Sequence, residues 1–198
     1  MRLLIGSRNS GKITEITRAL NDTNLCVISA DDCDIEGDPE ETGSTYEENA
    51  RIKARFFHHA SGLATLADDS GIIISALTDE LGVHTRRWGA GPNASDEEWI
   101  TYFLQRMEQE ADRTAAFHCS LIYIDDAEEE HHFTWSCTGV ITPTLEAEYL
   151  PGLPLSACFK PDGYDTVFSA MTNEEKAACS HRGGAVKRFT EWYLNQDG

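Results

Sequence analysis

Gly6-Ser7-Arg8-Asn9-Ser10-Gly11-Lys12 follows the apolar run Leu3-Leu4-Ile5, and this order points to an α/β fold. A short buried strand runs into a glycine-flanked polar turn, and a helix opens at Ser10 or Gly11. A helix starting there leaves unpaired backbone N–H groups in its first turn, and the Lys12 ammonium is aimed at the same spot, an arrangement that holds phosphates. The spelling Gly-x-x-x-x-Gly-Lys also opens a P-loop, but a P-loop needs Ser or Thr next for Mg²⁺, and Ile13 has no hydroxyl. The ordinary ATPase or GTPase reading is weakened and the phosphate reading stands. A plain strand-to-helix turn is the bland alternative.

Working outward, the first half alternates strand and helix. The spacing of Ile13, Ile16 and Leu20 predicts a helix over 11–20, and a second strand follows over 25–29. An acidic loop over 31–41 precedes Thr45-Tyr46-Glu47-Glu48, which has the spacing of a capping box and should open a helix running to about His59. Apolar runs of strand length, 63–67 and 72–77, lie on either side of Asp68-Asp69-Ser70-Gly71. Beyond a Gly/Pro/Asn-rich loop over 89–95, residues 96–111 carry Ile100, Phe103, Leu104 and Met107 at helical spacing, a stripe that reads as core. Residues 115–124 and the alternating 132–141 predict a β-hairpin around a solvated acidic turn, 125–132. Residues 180–195 predict a C-terminal helix burying Val186, Phe189 and Tyr193.

The chain of 198 residues suits one domain, 1–198, with a substantial core. Its formal net charge of −18 argues against nucleic-acid binding and against an anionic membrane surface. The same charge poses a problem for a phosphate binder, which must gather its few cations in one place or recruit a divalent metal. Cysteines 26, 33, 119, 137, 158 and 179 form no C-x-x-C pair and no metal spacing, so reduced and mostly buried thiols are expected. Leu3-Leu4-Ile5 is too short for an export signal, no run approaches membrane-spanning length, and a cytoplasmic location is expected.

Two acidic sites stand out. Asp68-Asp69-Ser70-Gly71 follows an apolar strand, so its carboxylates are expected at a strand end, and Glu40-Glu41-Thr42-Gly43 comes just before a helix N-terminus. Together they offer the hard oxygen ligands that Mg²⁺ takes alongside substrate phosphates, although an acidic pair alone is also read as a turn or a cap.

At this point the chain resembles the inosine triphosphate pyrophosphatase family, enzymes that hydrolyse non-standard purine nucleoside triphosphates. The segments that match, in order, are Ser7-Arg8-Asn9-Ser10-Gly11-Lys12; Glu41-Thr42-Gly43 with Glu48-Asn49-Ala50-Arg51-Ile52-Lys53-Ala54; Ala67-Asp68-Asp69-Ser70-Gly71; Phe117-His118-Cys119; and Glu175-Lys176 with Ser180-His181-Arg182. The resemblance implies an elongated mixed-sheet α/β fold with two lobes flanking a central nucleotide cleft, a homodimer, and Mg²⁺-dependent release of pyrophosphate from the triphosphate. It further implies that Asp69 is the general base and a metal ligand, that Glu41 is the other metal carboxylate, and that Asp68 supports the pair. Ser7, Asn9 and Lys12 would form the triphosphate turn, joined by Lys53, Ser70 and Lys176, with Lys12 also serving catalysis. His181 and Arg182 would reach the purine, and Arg87 matches a family arginine with either a substrate contact or a surface ion pair as its role. Lysines and a metal gathered around transferring phosphoryl oxygens make physical sense of the charge balance, and a carboxylate beside Mg²⁺ can deprotonate the attacking water.

The chain departs from the family at Gly152-Leu153-Pro154-Leu155-Ser156-Ala157-Cys158-Phe159, where members carry Gly-Phe-Gly-(Tyr/Trp)-Asp-Pro-x-Phe. Leu153 offers apolar contact in place of a stacking phenylalanine. Ser156 is shorter than the family's aspartate and uncharged, and Pro154 fixes φ where a glycine stood. Pro161-Asp162-Gly163-Tyr164-Asp165 has the wrong spacing for the missing motif and reads as a later loop. Losing a specific hydrogen-bond partner relaxes or redirects selectivity, so the alternatives are a pyrophosphatase for a pyrimidine or modified nucleotide, and a catalytically weak nucleotide-binding protein. His118, between Phe117 and Cys119, is read as a packed histidine.

Overall fold

A computed structural model of the chain describes residues 1–21, 23–83, 88–91 and 93–196. The expected role of Arg87 therefore lies outside the described residues. Strands β1 (Arg2–Ile5), β2 (Cys26–Ser29), β3 (Thr65–Ile74), β4 (Thr114–Ile124), β5 (Glu130–Ile141) and β6 (Phe159–Pro161) form one mixed sheet in the order β2-β1-β3-β4-β5-β6. β1 runs parallel to both β2 and β3, with Leu4 opposite Ile28 on one side and Thr65 on the other. Parallel neighbours need crossovers, and helices α1 (Ser10–Ala19) and α2 (Tyr46–Ser61) lie in the connecting segments. The remaining α-helices among the described residues are α3 (Thr78–Leu81), α4 (Asp96–Arg106), α5 (Asn173–Cys179) and α6 (His181–Leu194).

The chain divides into two compact units, each assembled from separated stretches: Met1–Ser70, His118–Trp135 and His181–Gly198 in one, Gly71–Phe117 and Ser136–Ser180 in the other. In the first, Leu3 and Ile5 of β1, Ile16 of α1, Cys119, Leu121 and Tyr123 of β4 and Val186 and Phe189 of α6 share a core. On the other side of β1, Leu4 packs with Phe57 of α2. Gly6 follows immediately, and a Cβ there would stand 2.9 Å from Phe57 and 3.0 Å from Ala67, so only glycine lets the strand exit fit between α2 and β3. In the second unit, Ile72, Ile74, Ile100, Phe103, Met107, Ile141 and Phe159 build a separate core, and the stripe read on α4 falls within it.

Several expected elements take different bounds. The apolar runs on either side of Asp68-Asp69-Ser70-Gly71 are one strand, β3, which passes straight through the acidic pair. The aspartates thus sit in mid-strand, not at a strand end. Both sheet faces are covered there, so β3 tolerates residues that otherwise disfavour strands. Helix α4 stops at Arg106, short of residue 111, and α2 runs to Ser61, where Gly62 (φ 66°) turns the chain left-handed. The capping expectation at α2 is half met: Thr45 accepts from the Glu48 N–H at 3.1 Å, but the Glu48 carboxylate accepts from the Ser44 N–H at 2.6 Å and not from Thr45. All cysteines are free thiols; Cys119, Cys137 and Cys158 are buried, whereas Cys26 is exposed. No described helix is long and apolar enough to cross a membrane.

Candidate active site

The Ser7–Lys12 turn is built by its own side chains. Ser7 Oγ accepts from the Asn9 N–H at 3.2 Å, and Asn9, the N-cap of α1, accepts from the Lys12 N–H at 3.1 Å. These bonds leave the Ser7 hydroxyl hydrogen and the Asn9 amide N–H groups as donors. The first turn of α1 carries no acidic side chain, so the positive end of the helix dipole is not neutralised there.

From β3, the neighbouring aspartates leave the strand on opposite sides, and their partners differ accordingly. Asp68 is buried, and its Oδ2 receives both the Lys12 ammonium and the Arg182 Nε at 3.1 Å. Arg182, also buried, donates to Ser70 Oγ at 2.8 Å and pairs with Glu15 of α1. Burial alone would raise the Asp68 pKa, but Lys12, Arg182 and Lys53 outweigh it and hold the carboxyl well below the usual range. Asp69 pairs with Lys53 Nζ at 2.7 Å, and Glu41 meets the same ammonium at 3.2 Å. Burial, only partly offset by Lys53, raises the Asp69 pKa above its ordinary value. Burial works against the Lys53 charge as well, yet Asp69, Asp68 and Glu41 together raise its pKa.

Glu41 reaches Lys53 because its loop is tied to α2. The Gly43 N–H donates to Oδ1 of the buried Asn49 at 2.8 Å, and a Cβ on Gly43 would lie 2.6 Å from that oxygen. His181, at the start of α6, has a buried Nδ1. Burial, followed by the Arg182 charge, pushes its imidazole well below 6.5, so the ring is neutral at neutral pH.

The same unit therefore brings together Ser7, Asn9, Lys12, Glu41, Lys53, Asp68, Asp69, Ser70, His181 and Arg182. Lys176, Leu153 and Ser156 belong to the other unit. Lys176 lies in the last turn of α5, a helix opened by a capping box between Thr172 and Glu175. Leu153 is exposed, whereas Ser156 is buried and accepts from the Leu150 N–H at 3.1 Å. Its hydroxyl thus serves the loop backbone. Glu15, Asn49 and Asp96 were not singled out from sequence. Asn49 lay inside a matched segment, which was its signal; Glu15 and Asp96, which accepts from the Gly152 N–H at 2.6 Å, gave none.

Divalent cation binding can be judged on these donors. Glu41 and Asp69 are hard carboxylate ligands gathered around a cation already, and the buried Asp68 Oδ1 has no hydrogen-bond partner among the described residues. An orphaned buried carboxylate oxygen is costly and calls for a ligand. Among the described residues no three His, Cys, Asp or Glu side chains form a complete cage. Mg²⁺ takes one or two carboxylates from a protein and draws its other ligands from water and phosphate.

An α/β scaffold that sets a helix N-terminus without acidic side chains and buried, lysine-paired carboxylates in one unit has groups suited to phosphate-anhydride chemistry. Over residues 3–192 the sequence matches the Ham1 family, and the chain belongs to that family. It is 32% identical over 191 residues to a dITP/XTP pyrophosphatase of Leptospira interrogans serogroup Icterohaemorrhagiae serovar copenhageni, covering 96% of each chain. It is 33% identical over 200 residues to the dITP/XTP pyrophosphatase of Shigella flexneri, covering 98% of each. Its structure is similar to that of a HAM1 protein from Coxiella burnetii with a TM-score of 0.87 and 32% identity, over 98% of this chain and 99% of that one. The mixed α/β fold expected from the family resemblance is thus the fold found.

Proposed function

We propose that this chain, a nucleoside triphosphate pyrophosphatase, hydrolyses non-standard purine nucleoside triphosphates, those of deoxyinosine and xanthosine among them, to the monophosphate and pyrophosphate. The observation that carries the reading is the convergence of Asp69 and Glu41 on Lys53, in the unit that also holds the Ser7–Lys12 turn.

In this mechanism Glu41 and Asp69 would hold Mg²⁺, with Asp68 beside them. The ion, when bound, neutralises charge on the phosphate oxygens. The Ser7 hydroxyl, the Asn9 amide and the first N–H groups of α1 bind the triphosphate, and Lys12 and Lys53 balance its charge. Asp69 accepts the proton of the water that attacks the α-phosphorus. Its pKa, raised by burial, makes it a stronger base than an ordinary aspartate. Arg182 keeps Asp68 ionised, and the neutral His181 can meet the purine edge as donor or acceptor. The family resemblance also supports a homodimer and a cytoplasmic location, and light scattering tests the first.

The test is pyrophosphate release, with Mg²⁺, across standard, deaminated and modified nucleoside triphosphates. Release from the inosine and xanthosine nucleotides well above that from ATP and GTP upholds the proposal. Release confined to a pyrimidine nucleotide, or orthophosphate as product, overturns it.

A further inference from the structure

Arg8 stands inside the phosphate turn, between Ser7 and Asn9, where a cation would be expected to meet the triphosphate. Its guanidinium is instead committed to the acidic loop. Nη1 donates to Asp31 Oδ1 at 2.7 Å. Nε and Nη2 both donate to the Gly37 carbonyl, at 3.3 and 3.1 Å, and Nη2 also donates to the Ile35 carbonyl. Asp38 Oδ1 lies 3.3 Å from Nε. These contacts span a segment with little regular structure, a single 3-10 turn over Asp31–Cys33 followed by Asp34 in the left-handed region (φ 51°).

The loop carries Asp31, Asp32, Asp34, Glu36, Asp38 and Glu40, and a run of like charges repels itself and stays extended. Individual exposed ion pairs contribute little. A planar fork of N–H donors that takes two carbonyls and two carboxylates at once does what isolated pairs cannot, and a lysine has no such fork. Arg8 fixes the chain at Gly37 and Asp38, and Asn49 fixes it again at Gly43. Glu41 lies on the short span between these two anchors.

We infer that Arg8 is a positioning residue, which holds the loop bearing Glu41 and thereby sets the divalent-cation affinity of the Glu41–Asp69 pair, and is not a ligand of the triphosphate. The inference rests on the proposed function for the identity of the cation, but its structural part does not. Supporting groups around metal ligands typically govern about 10–100-fold in affinity.

The experiment compares wild type, Arg8→Gln, Arg8→Lys and the double variant Asp31→Asn/Asp38→Asn. Amide hydrogen exchange over residues 31–43 is measured in nucleotide-free, metal-free protein, and binding of Mn²⁺ is followed by its EPR signal. In Arg8→Gln, exchange over 31–43 should rise about tenfold while α1 is unchanged, and Mn²⁺ affinity should fall about tenfold. Arg8→Lys should resemble Arg8→Gln more than wild type. The double variant, which leaves the phosphate turn intact, should move both readouts in the same direction, and it decides the matter if Arg8→Gln does not fold. Unchanged exchange in both Arg8→Gln and the double variant overturns the inference whatever the cation data show. So does a nucleotide KM that rises in Arg8→Gln at saturating Mg²⁺, which would make Arg8 a triphosphate ligand. A wild type that releases no pyrophosphate from any nucleotide would sink the proposed function, while exchange would still decide the role of Arg8.

Discussion

Around Asp68 and Asp69 the chain is held by charge, with partners brought from distant positions; around residues 152–159 it is held mainly by short-range hydrogen bonds, with the Asp96 carboxylate as a distant charged partner on the Gly152 N–H. Asp68, 1% exposed, has Lys12 from α1 and Arg182 from α6 on one oxygen. Ser156, 5% exposed, instead receives a backbone N–H from Leu150, a few residues back. The loop adds Leu153 N–H to the Leu150 carbonyl at 2.8 Å and Ser156 N–H to the Leu153 carbonyl at 3.0 Å. Phe159, at its end, is anchored against Phe117, with ring centroids 4.7 Å apart. A region built from long-range ion pairs loses several partners when one residue changes. A region built from local backbone bonds keeps its shape through many substitutions. That contrast explains how the loop departs from the family pattern while the carboxylates and lysines match it.

The harshest test of the charged region is Asp69→Asn. It removes the proposed proton acceptor while keeping the shape, and kcat should fall about 10²–10⁴-fold with the circular dichroism spectrum unchanged. Retained turnover would take Asp69 out of the mechanism. Arg182→Met comes next. The buried Asp68 loses one of its two cations, and Glu15 and Ser70 lose a partner, so stability should drop by about 3 kcal/mol in urea unfolding, the low end for a broken buried pair because Lys12 remains. A loss no larger than that of a surface substitution would mean that charge does not hold this region together.

The two regions also differ in how far they were legible. The residues of the charged site are written in short runs, and their types already state the chemistry. What could not be read was who pairs with whom: Arg182 and Glu15 lie at opposite ends of the chain, and Arg8 finds its partners well beyond α1. The break expected at Asp68-Asp69-Ser70-Gly71 followed from the low strand propensity of those residues, and burial of β3 on both faces overrode it. In the loop a partner was hidden in another way. Ser156 aligns with a base-recognition residue of the family, and the sequence gives no sign that its Oγ accepts from the Leu150 N–H. No pattern in the sequence distinguishes a serine that meets a ligand from one that caps its own turn.

In the loop the expected effects are smaller. Ser156→Ala should cost about 1 kcal/mol, the ordinary worth of one hydrogen bond, with turnover near wild type. Leu153 is 46% exposed, so Leu153→Phe can be accommodated without repacking. A stacking face worth about 0.5–1.5 kcal/mol should lower the KM for inosine triphosphate severalfold without raising kcat. Ser156→Asp, by contrast, should loosen the loop before it improves recognition. If Leu153→Phe leaves every KM unchanged, the loop does not read the base.

The smallest effect is expected in β4. Phe117 and His118 are consecutive in β4, so their side chains leave it in opposite directions. Phe117 joins the aromatic cluster with Phe159 and Phe168, while His118 lies against Tyr46, with its Nε2 3.4 Å from Ser120 Oγ. Burial, and then the neighbouring His132, lowers the His118 pKa below 6.5. The unfolded chain therefore takes up this proton first as the solution is acidified. Stability is fully present above the unfolded value and is lost as pH falls from about 6.5 toward the folded value. His118→Gln removes that uptake, so its urea midpoint should decline less than that of wild type between pH 7.5 and pH 5.5, while Phe117→Leu should lower the midpoint equally at both. Parallel declines for wild type and His118→Gln would show that the histidine is not held neutral. The charged region would then tolerate one more cation than its geometry suggests.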